Sequence, residues 1–227
     1  MNTSIPLITV DGPGGSGKGT ISLLLARELG WHFLDSGAIY RALALAALKK
    51  SVDLNDVAGL VALAKGLPVV FHEFQVCLEG EDVTQEMRSE RCGSAASKIA
   101  VFPEVREALL VRQRDFLEFP GLVADGRDMG TVVFPQAPIK FYLEASLEER
   151  AKRRYFQLKD TEKGVTLDGI LREIAERDNR DKNRVSAPLS PAQDAMIIDT
   201  TGMSISAVFS AVMHIVKQRM PLRETKL

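Results

Sequence analysis

Residues 12–20 read GPGGSGKGT, directly behind the apolar run Pro6-Leu7-Ile8-Thr9-Val10 and ahead of an amphipathic stretch from Ile21 to Leu29. A strand, a glycine loop and a helix in that order make a cradle for phosphate. The loop glycines tolerate positive φ without a Cβ clash, so successive backbone N–H groups can turn inward toward an anion. The helix behind them adds the partial positive charge of its N-terminus. Lys18 supplies a full cation that can reach the outer phosphates of a nucleoside triphosphate, and Thr20 a hydroxyl near where magnesium would sit. The common form of this loop has Ser or Thr directly after the lysine, whereas here Gly19 intervenes and the hydroxyl falls one residue later. The other reading is a glycine-rich turn that merely links strand to helix; the spacing of both glycines, the lysine and the flanking elements favours the cradle.

The rest of the composition sets bounds. A chain of 227 residues with 45% hydrophobic residues can bury a full core and is most simply one domain with an insertion, or one and a half domains. A net charge of -1 argues against a broad nucleic-acid-binding surface. No apolar run approaches the roughly 20 residues that span a bilayer, and the N-terminus lacks a basic region followed by an apolar one. The expectation is a cytoplasmic protein, acting as a monomer without membrane or nucleic acid. Cys77 and Cys92 form no CxxC pair and are expected as reduced structural thiols.

Short apolar strands alternate with helical stretches, the pattern of a parallel sheet covered by helices on both faces. Strands are expected at 6–10, 31–34, 121–125, 139–143 and 195–199, each bounded by Gly, Pro or Asp. Between about 67 and 84 the texture changes to alternation, with Val69, Phe71, Val76, Leu78 and Val83 spaced as in small half-exposed strands. That reads as an inserted lobe. Ser146-Leu147-Glu148-Glu149 has the form of a capping box, opening a helix with Leu147, Ala151, Tyr155 and Leu158 on one face. Charge and Gly164 dominate residues 159–166, which predicts a mobile loop. A last helix over 204–217 places Ile205, Val208, Phe209, Val212 and Val216 on one stripe facing the core.

Three further clusters suggest an acceptor site. In DSGAIYR, residues 35–41, Ser36, Gly37 and Arg41 follow the second strand and open a helix, where a hydroxyl, a backbone N–H and an arginine could grip a phosphate monoester; an ordinary helix cap with a surface arginine is equally open. In DGRDMG, residues 125–130, Asp125, Arg127 and Asp128 should project from a strand's carboxyl end toward the glycine loop's crevice, unless an Arg–Asp pair simply closes a turn. In ERDNRDKNR, residues 176–184, Arg177, Asp181 and Arg184 share a helical face while Arg180 is expected to point elsewhere; a solvated salt-bridge ladder would look the same. Arg150, Arg153 and Arg154 precede the 159–166 loop and could close over a triphosphate.

The stretches DGPGGSGKGT, LDSGAIYR, FPEVREALL, ADGRDMGTVVFP and ERDNRDKNR resemble, over nearly the whole chain, the bacterial cytidylate kinases within the nucleoside monophosphate kinases. These enzymes move the terminal phosphate of ATP to CMP or dCMP. The resemblance turns the Gly-Thr after the lysine from a departure into agreement; Ser36 stands where the broader family typically has Thr. It implies an α/β P-loop kinase fold over residues 1–227, with a core at about 1–66 and 101–227, an acceptor-binding lobe at about 67–100 and a lid at about 150–166. It implies ATP bound by Gly12, Pro13, Gly14, Gly15, Ser16, Gly17, Lys18, Gly19, Thr20 and Arg153, with Mg²⁺ met by Thr20 directly or through water. It implies that Ser36, Arg41, Arg127 and Arg184 hold the CMP phosphate, Arg177 and Asp181 the sugar, and Ser97, Arg106 and Asp128 the cytosine edge. Lys18, Arg127 and Arg184 would be the catalytic cations. A kinase for UMP, AMP or shikimate would keep the cradle and change the face at Ser97, Arg106 and Asp128. A GTP-dependent switch would need an Asn-Lys-x-Asp stretch, which the sequence lacks.

Overall fold

The computed structural model describes residues 5–71, 75–159 and 164–220. Its centre is a five-stranded sheet made of β1 (Leu7–Asp11), β2 (His32–Asp35), β6 (Leu122–Gly126), β7 (Ile139–Glu144) and β8 (Met196–Asp199). Their order across the sheet is β2-β6-β1-β7-β8, with every pairing parallel. From β1 the chain steps to the edge strand β2, returns through β6 to the side of β1, then crosses over to build the other side with β7 and β8. β1 is therefore the point where the winding reverses, and a crevice opens beyond its carboxyl end. All five expected strands are present, shifted by at most one residue. β1, β2 and β6 each run one residue beyond the apolar segment, because Asp11↔Gly126 and Asp35↔Asp125 continue the backbone ladder where side chains turn polar.

Helices cover both faces. On one side α1 (Lys18–Leu29) and α9 (Ile205–Arg219) pack Ile21, Leu25, Val208, Val212 and Val216 against Ile8, Val10 and Phe141. Leu25 and Val212 are fully buried, each such side chain stabilising the fold by roughly 1.5–3 kcal/mol. Of the stripe expected on α9, Ile205 departs: at the helix's first turn it lies beyond the edge of the packing and is 57% exposed. On the other side, α2 (Ser36–Lys49), α3 (Val57–Lys65) and α6 (Pro103–Arg114) bury Leu43, Leu60 and Leu109.

The alternating segment forms a small antiparallel sheet, β3 (Val69–Phe71), β4 (Val76–Leu78) and β5 (Glu81–Asp82). α4 (Thr84–Arg88) and α5 (Glu90–Ile99) follow it, and Val69, Leu78, Met87 and Ile99 belong to the same apolar cluster as Leu43. The remaining helices, α7 (Leu147–Leu158) and α8 (Leu167–Asn183), pack on each other through Ala151, Leu158 and Ile170. Ser146 caps α7 by accepting from Glu149 N–H at 3.2 Å. The reciprocal half of the box is absent: Ser146 N–H donates to Thr201 Oγ1 at 2.9 Å, while the Glu149 carboxylate turns to Arg153. Residues 160–163 of the expected mobile loop lie outside the described residues. Cys92 is buried, both cysteines are free thiols, and among the described residues no helix is long and apolar enough to cross a membrane.

Candidate active site

Gly12 follows β1 with φ 148°, and a Cβ there would sit 2.0 Å from Leu143 O, so only glycine lets the loop leave the sheet against β7. Gly15, at φ 79°, is closed off by Arg150, whose Cβ would stand 2.9 Å from an added methyl. The loop enters α1 directly, and Gly14, Gly15, Gly17, Lys18, Gly19 and Thr20 line a cleft of about 1110 Å³. Gly12, Pro13 and Ser16 are buried behind that lining.

Lys18 lies across the cleft floor, with Nζ donating to Pro13 O at 3.3 Å and 3.9 Å from Asp125 Oδ1. Burial, followed by the repulsion of Arg127, lowers the Lys18 ammonium to about 8. Burial also raises the Asp125 carboxyl to about 7, against the pull of Lys18. Asp125 Oδ1 is a buried acceptor with no hydrogen-bond partner. Thr20 lines the same cleft, and the two side chains offer the oxygen ligands that a hard cation such as Mg²⁺ takes. Three carboxylate, thiol or imidazole ligands never gather among the described residues, so no all-protein metal cage exists there.

The opposite wall is basic. Arg127, on the loop after β6, donates Nε to Asp181 Oδ2 at 3.0 Å. Arg177 lies half-buried one turn earlier on α8, and its buried Nε is a donor without a hydrogen-bond partner. Burial and then Arg127 lower its guanidinium to about 10. Burial pushes the Asp181 carboxyl up, but Arg127, Arg177 and Arg184 together hold it below its ordinary value. Asp128 sits between Arg106, to which it is directly hydrogen-bonded, and Arg184, whose Nη2 is 3.7 Å from Asp128 Oδ1. Arg106 also lies over the Tyr40 ring, 5.6 Å from its centroid. Arg41 passes α5 where Gly93 leaves room for it and donates to Met87 O at 2.8 Å. Ser36, 4% exposed at the start of α2, donates its hydroxyl proton to Gln113 Oε1 at 2.9 Å. Asp35, not Ser36, caps this helix by accepting from Ala38 N–H. Ser36, Arg41, Ser97, Arg106, Arg127, Asp128, Arg177, Asp181 and Arg184 thus line the same cleft as Lys18.

Two sequence expectations need correcting. Arg180 does not point away: its Nε donates to Ser97 Oγ at 3.2 Å. Arg150 is not poised over the loop but built in beneath it, donating to Ala145 O at 3.0 Å, Gly14 O at 3.1 Å and Asp178 Oδ2 at 2.6 Å. Arg153 stands at the outer side of the loop, bound to Thr200 O and 3.4 Å from Gly15 O. Arg154 reaches across to Glu90 at the start of α5. Sequence reading passed over Asp11 and Gln113. A signal existed for Asp11, a carboxylate closing an apolar strand just before the glycine loop; none existed for Gln113, whose partner is 77 residues away.

Comparison with known proteins places this geometry. The family model described as cytidylate kinase matches residues 8–218. A cytidylate kinase of Shewanella loihica is 56% identical over 226 residues, covering 97% of this chain and 98% of the relative. One from Aeromonas hydrophila is 57% identical over 224 residues, covering 97% of each. A looser likeness among solved structures is a shikimate kinase from Acinetobacter baumannii in complex with shikimate, at 16% identity, 95% coverage of each chain and a TM-score of 0.43. A match of that extent to the family model, together with identity above one half to full-length relatives, settles the membership: this chain belongs to the cytidylate kinase family.

Proposed function

We propose that the protein transfers the γ-phosphoryl group of ATP to CMP or dCMP, giving ADP and CDP or dCDP. The observation that carries this is one cleft with two anion-binding walls: the Gly14–Thr20 loop with Lys18 on one side, and Arg41, Arg127, Arg177 and Arg184 on the other. A triphosphate laid on the loop and a monophosphate held by the arginines would meet near Lys18 and Asp125. No general base is needed, because a nucleoside monophosphate with a second pKa of about 6 already presents an ionised oxygen at neutral pH. The protein's work is alignment, charge neutralisation and exclusion of water.

Lys18 is placed to follow charge onto the transferred group, and Arg127 is held on the acceptor wall by Asp181. Mg²⁺, when bound, would neutralise charge on the donor phosphates; Thr20 and Asp125 are the residues that fit it. Asp128 supplies discrimination: a carboxylate has about four acceptor sites, of which Arg106 and Arg184 leave some open for the amino group of cytosine. Uracil offers a carbonyl there and would meet repulsion. Ser97 and Arg106 flank that position. Residues 67–100 act in this reading as the acceptor-side lobe and 150–166 as the lid, and the Arg154–Glu90 ion pair joins the two across the cleft mouth.

The test offers CMP, dCMP, UMP, AMP and shikimate separately with ATP and Mg²⁺, and resolves products by chromatography. Diphosphates from CMP and dCMP, with little from the others, are expected. Turnover of a different acceptor would overturn the roles given to Ser97, Arg106 and Asp128.

A further inference from the structure

Asp11 ends β1, 4% exposed, and is not among the residues that line the cleft. Its two carboxylate oxygens are both engaged: Oδ1 accepts from Met129 N–H at 2.8 Å and Oδ2 from Gly130 N–H at 2.7 Å. Those are the first two amides of a short, wide helical turn, Met129–Val133, which starts on the residue after Asp128. A turn that short leaves its leading N–H groups without partners of its own, so a carboxylate from outside must satisfy them. Strand register puts Asp11 directly beside Gly126, so β1 ends alongside the start of the loop that carries Arg127 and Asp128. Gly130 is packed from the same side: a Cβ there would meet Thr9 Oγ1 at 2.9 Å, Lys140 Cδ at 3.1 Å and Asp11 Oδ2 at 3.3 Å. Burial, with a smaller push from Asp128, raises the Asp11 carboxyl to about 6 in spite of the two amide bonds, so a buried acid is held beside a second acid. Leucine or asparagine would avoid that cost.

We infer that Asp11 is a positioning residue for the acceptor site: by clamping the Met129 and Gly130 amides it fixes Asp128 between Arg106 and Arg184, and so sets the affinity for the monophosphate substrate. Its backbone leads into the donor loop, but that loop is held by the β1–β7 ladder and by the contact of Gly12 with Leu143, neither of which uses the Asp11 side chain. The effect should therefore fall on one substrate only. An amide in its place has one acceptor and one donor facing two N–H groups, so one bond is lost and one contact becomes repulsive.

The inference rests on the CMP-acceptor reading, and the wild-type protein tests that reading first: without CMP turnover there, the proposed function fails. Given turnover, Asp11→Asn should raise KM for CMP by roughly tenfold, the worth of about one charge-assisted hydrogen bond, and leave KM for ATP within about twofold. Gly130→Ala pushes the same turn from inside and should give the same split, which covers the case in which the first variant does not fold. In an Asp128→Ala background, Asp11→Asn should add little to the CMP defect, because the group it positions is gone. A melting point that falls with both KM values unchanged, KM values that rise together, or effects of the two substitutions that multiply would each overturn the inference.

Discussion

Replacing Arg150 with methionine separates two roles that the same arginine could have. As a finger on the triphosphate it would act in the transition state, where loss of such a group costs about 10³–10⁵ in kcat. The structure gives it a different place, with its side chain 6% exposed and its guanidinium joined to Asp178, 12% exposed, and to two carbonyls. Methionine keeps the volume and removes the charge. It leaves the Asp178 carboxylate without its cation and with Oδ1 already unpartnered. Stranding one member of a buried pair costs about 3–5 kcal/mol, and the lower figure applies here because Asp178 keeps a small exposure through which it can hydrate. For a chain of this size about 3 kcal/mol lowers the melting point by roughly 6–12 °C. Since Gly14 O loses its donor, the loop loosens, and KM for ATP should rise several-fold while kcat falls by less than about tenfold. Adding Asp178→Asn removes the stranded charge and should recover most of the lost stability. The assays are thermal unfolding of the ligand-free protein and steady-state kinetics with ATP varied at saturating CMP. A thousandfold loss of kcat with an unchanged melting point would refute the structural role and restore Arg150 as a phosphate contact.

Two other outcomes follow from the cleft floor. Lys18→Ala should lose most of the turnover, roughly 10²–10³-fold as for other preorganised donors, with near-normal rates in a single-turnover assay contradicting the loop assignment. The Asp125 carboxyl lies near 7 when folded and near 3.8 when unfolded, so the folded state holds the extra proton between those values. Stability of the ligand-free protein should then be full below about pH 4 with respect to this group and decline as pH rises toward 7. Asp125→Asn should flatten that decline in a series of melts from pH 4 to pH 8, leaving the smaller slope that Asp11, raised to about 6, contributes over a similar window. A slope unchanged by the substitution would show that Asp125 is ionised throughout.

The inner strands of the sheet were legible because strands buried on both faces read as near-continuous apolar runs, as Leu122–Val123–Ala124 does, and Phe141–Tyr142–Leu143 despite the lysine before it. What the runs hide is that hydrogen bonding belongs to the backbone, so pairing continues through Asp11, Asp35 and Gly126 after the apolar side chains stop. The residues of the cleft were legible through short spacings and family likeness. Their partners were not, since Ser36 with Gln113, Arg106 with Asp128 and Arg150 with Asp178 meet across 77, 22 and 28 positions of chain. Arg180 was misplaced by a wheel drawn too coarsely: three residues beyond Arg177 is only about 60° around the helix, and a side chain of that length covers the difference.

The electrostatics of the cleft explain why so many charges are gathered without enough partners. Lys18 is lowered to about 8 and Arg177 to about 10, each by burial first and by Arg127 next, which means that the folded protein holds three cations at mutual expense. Asp125 offsets part of this, and Asp181 and Asp128 offset more on the acceptor wall. Yet the Nε of Arg177 and Nη2 of Arg184 still lack hydrogen-bond partners. A core of this kind would be selected against if stability were its only use, because apolar residues of the same volume would be cheaper to bury. Two phosphate groups would offset the mutual repulsion in that account, since they supply acceptors to the orphaned donors and favour the charged forms of Lys18 and Arg177. Binding should therefore draw protons onto the enzyme at pH 8 to 9, and calorimetry in two buffers of different ionisation enthalpy reads that uptake directly. Proton release instead would mean that the Asp125 carboxylate, not the cations, dominates the linkage.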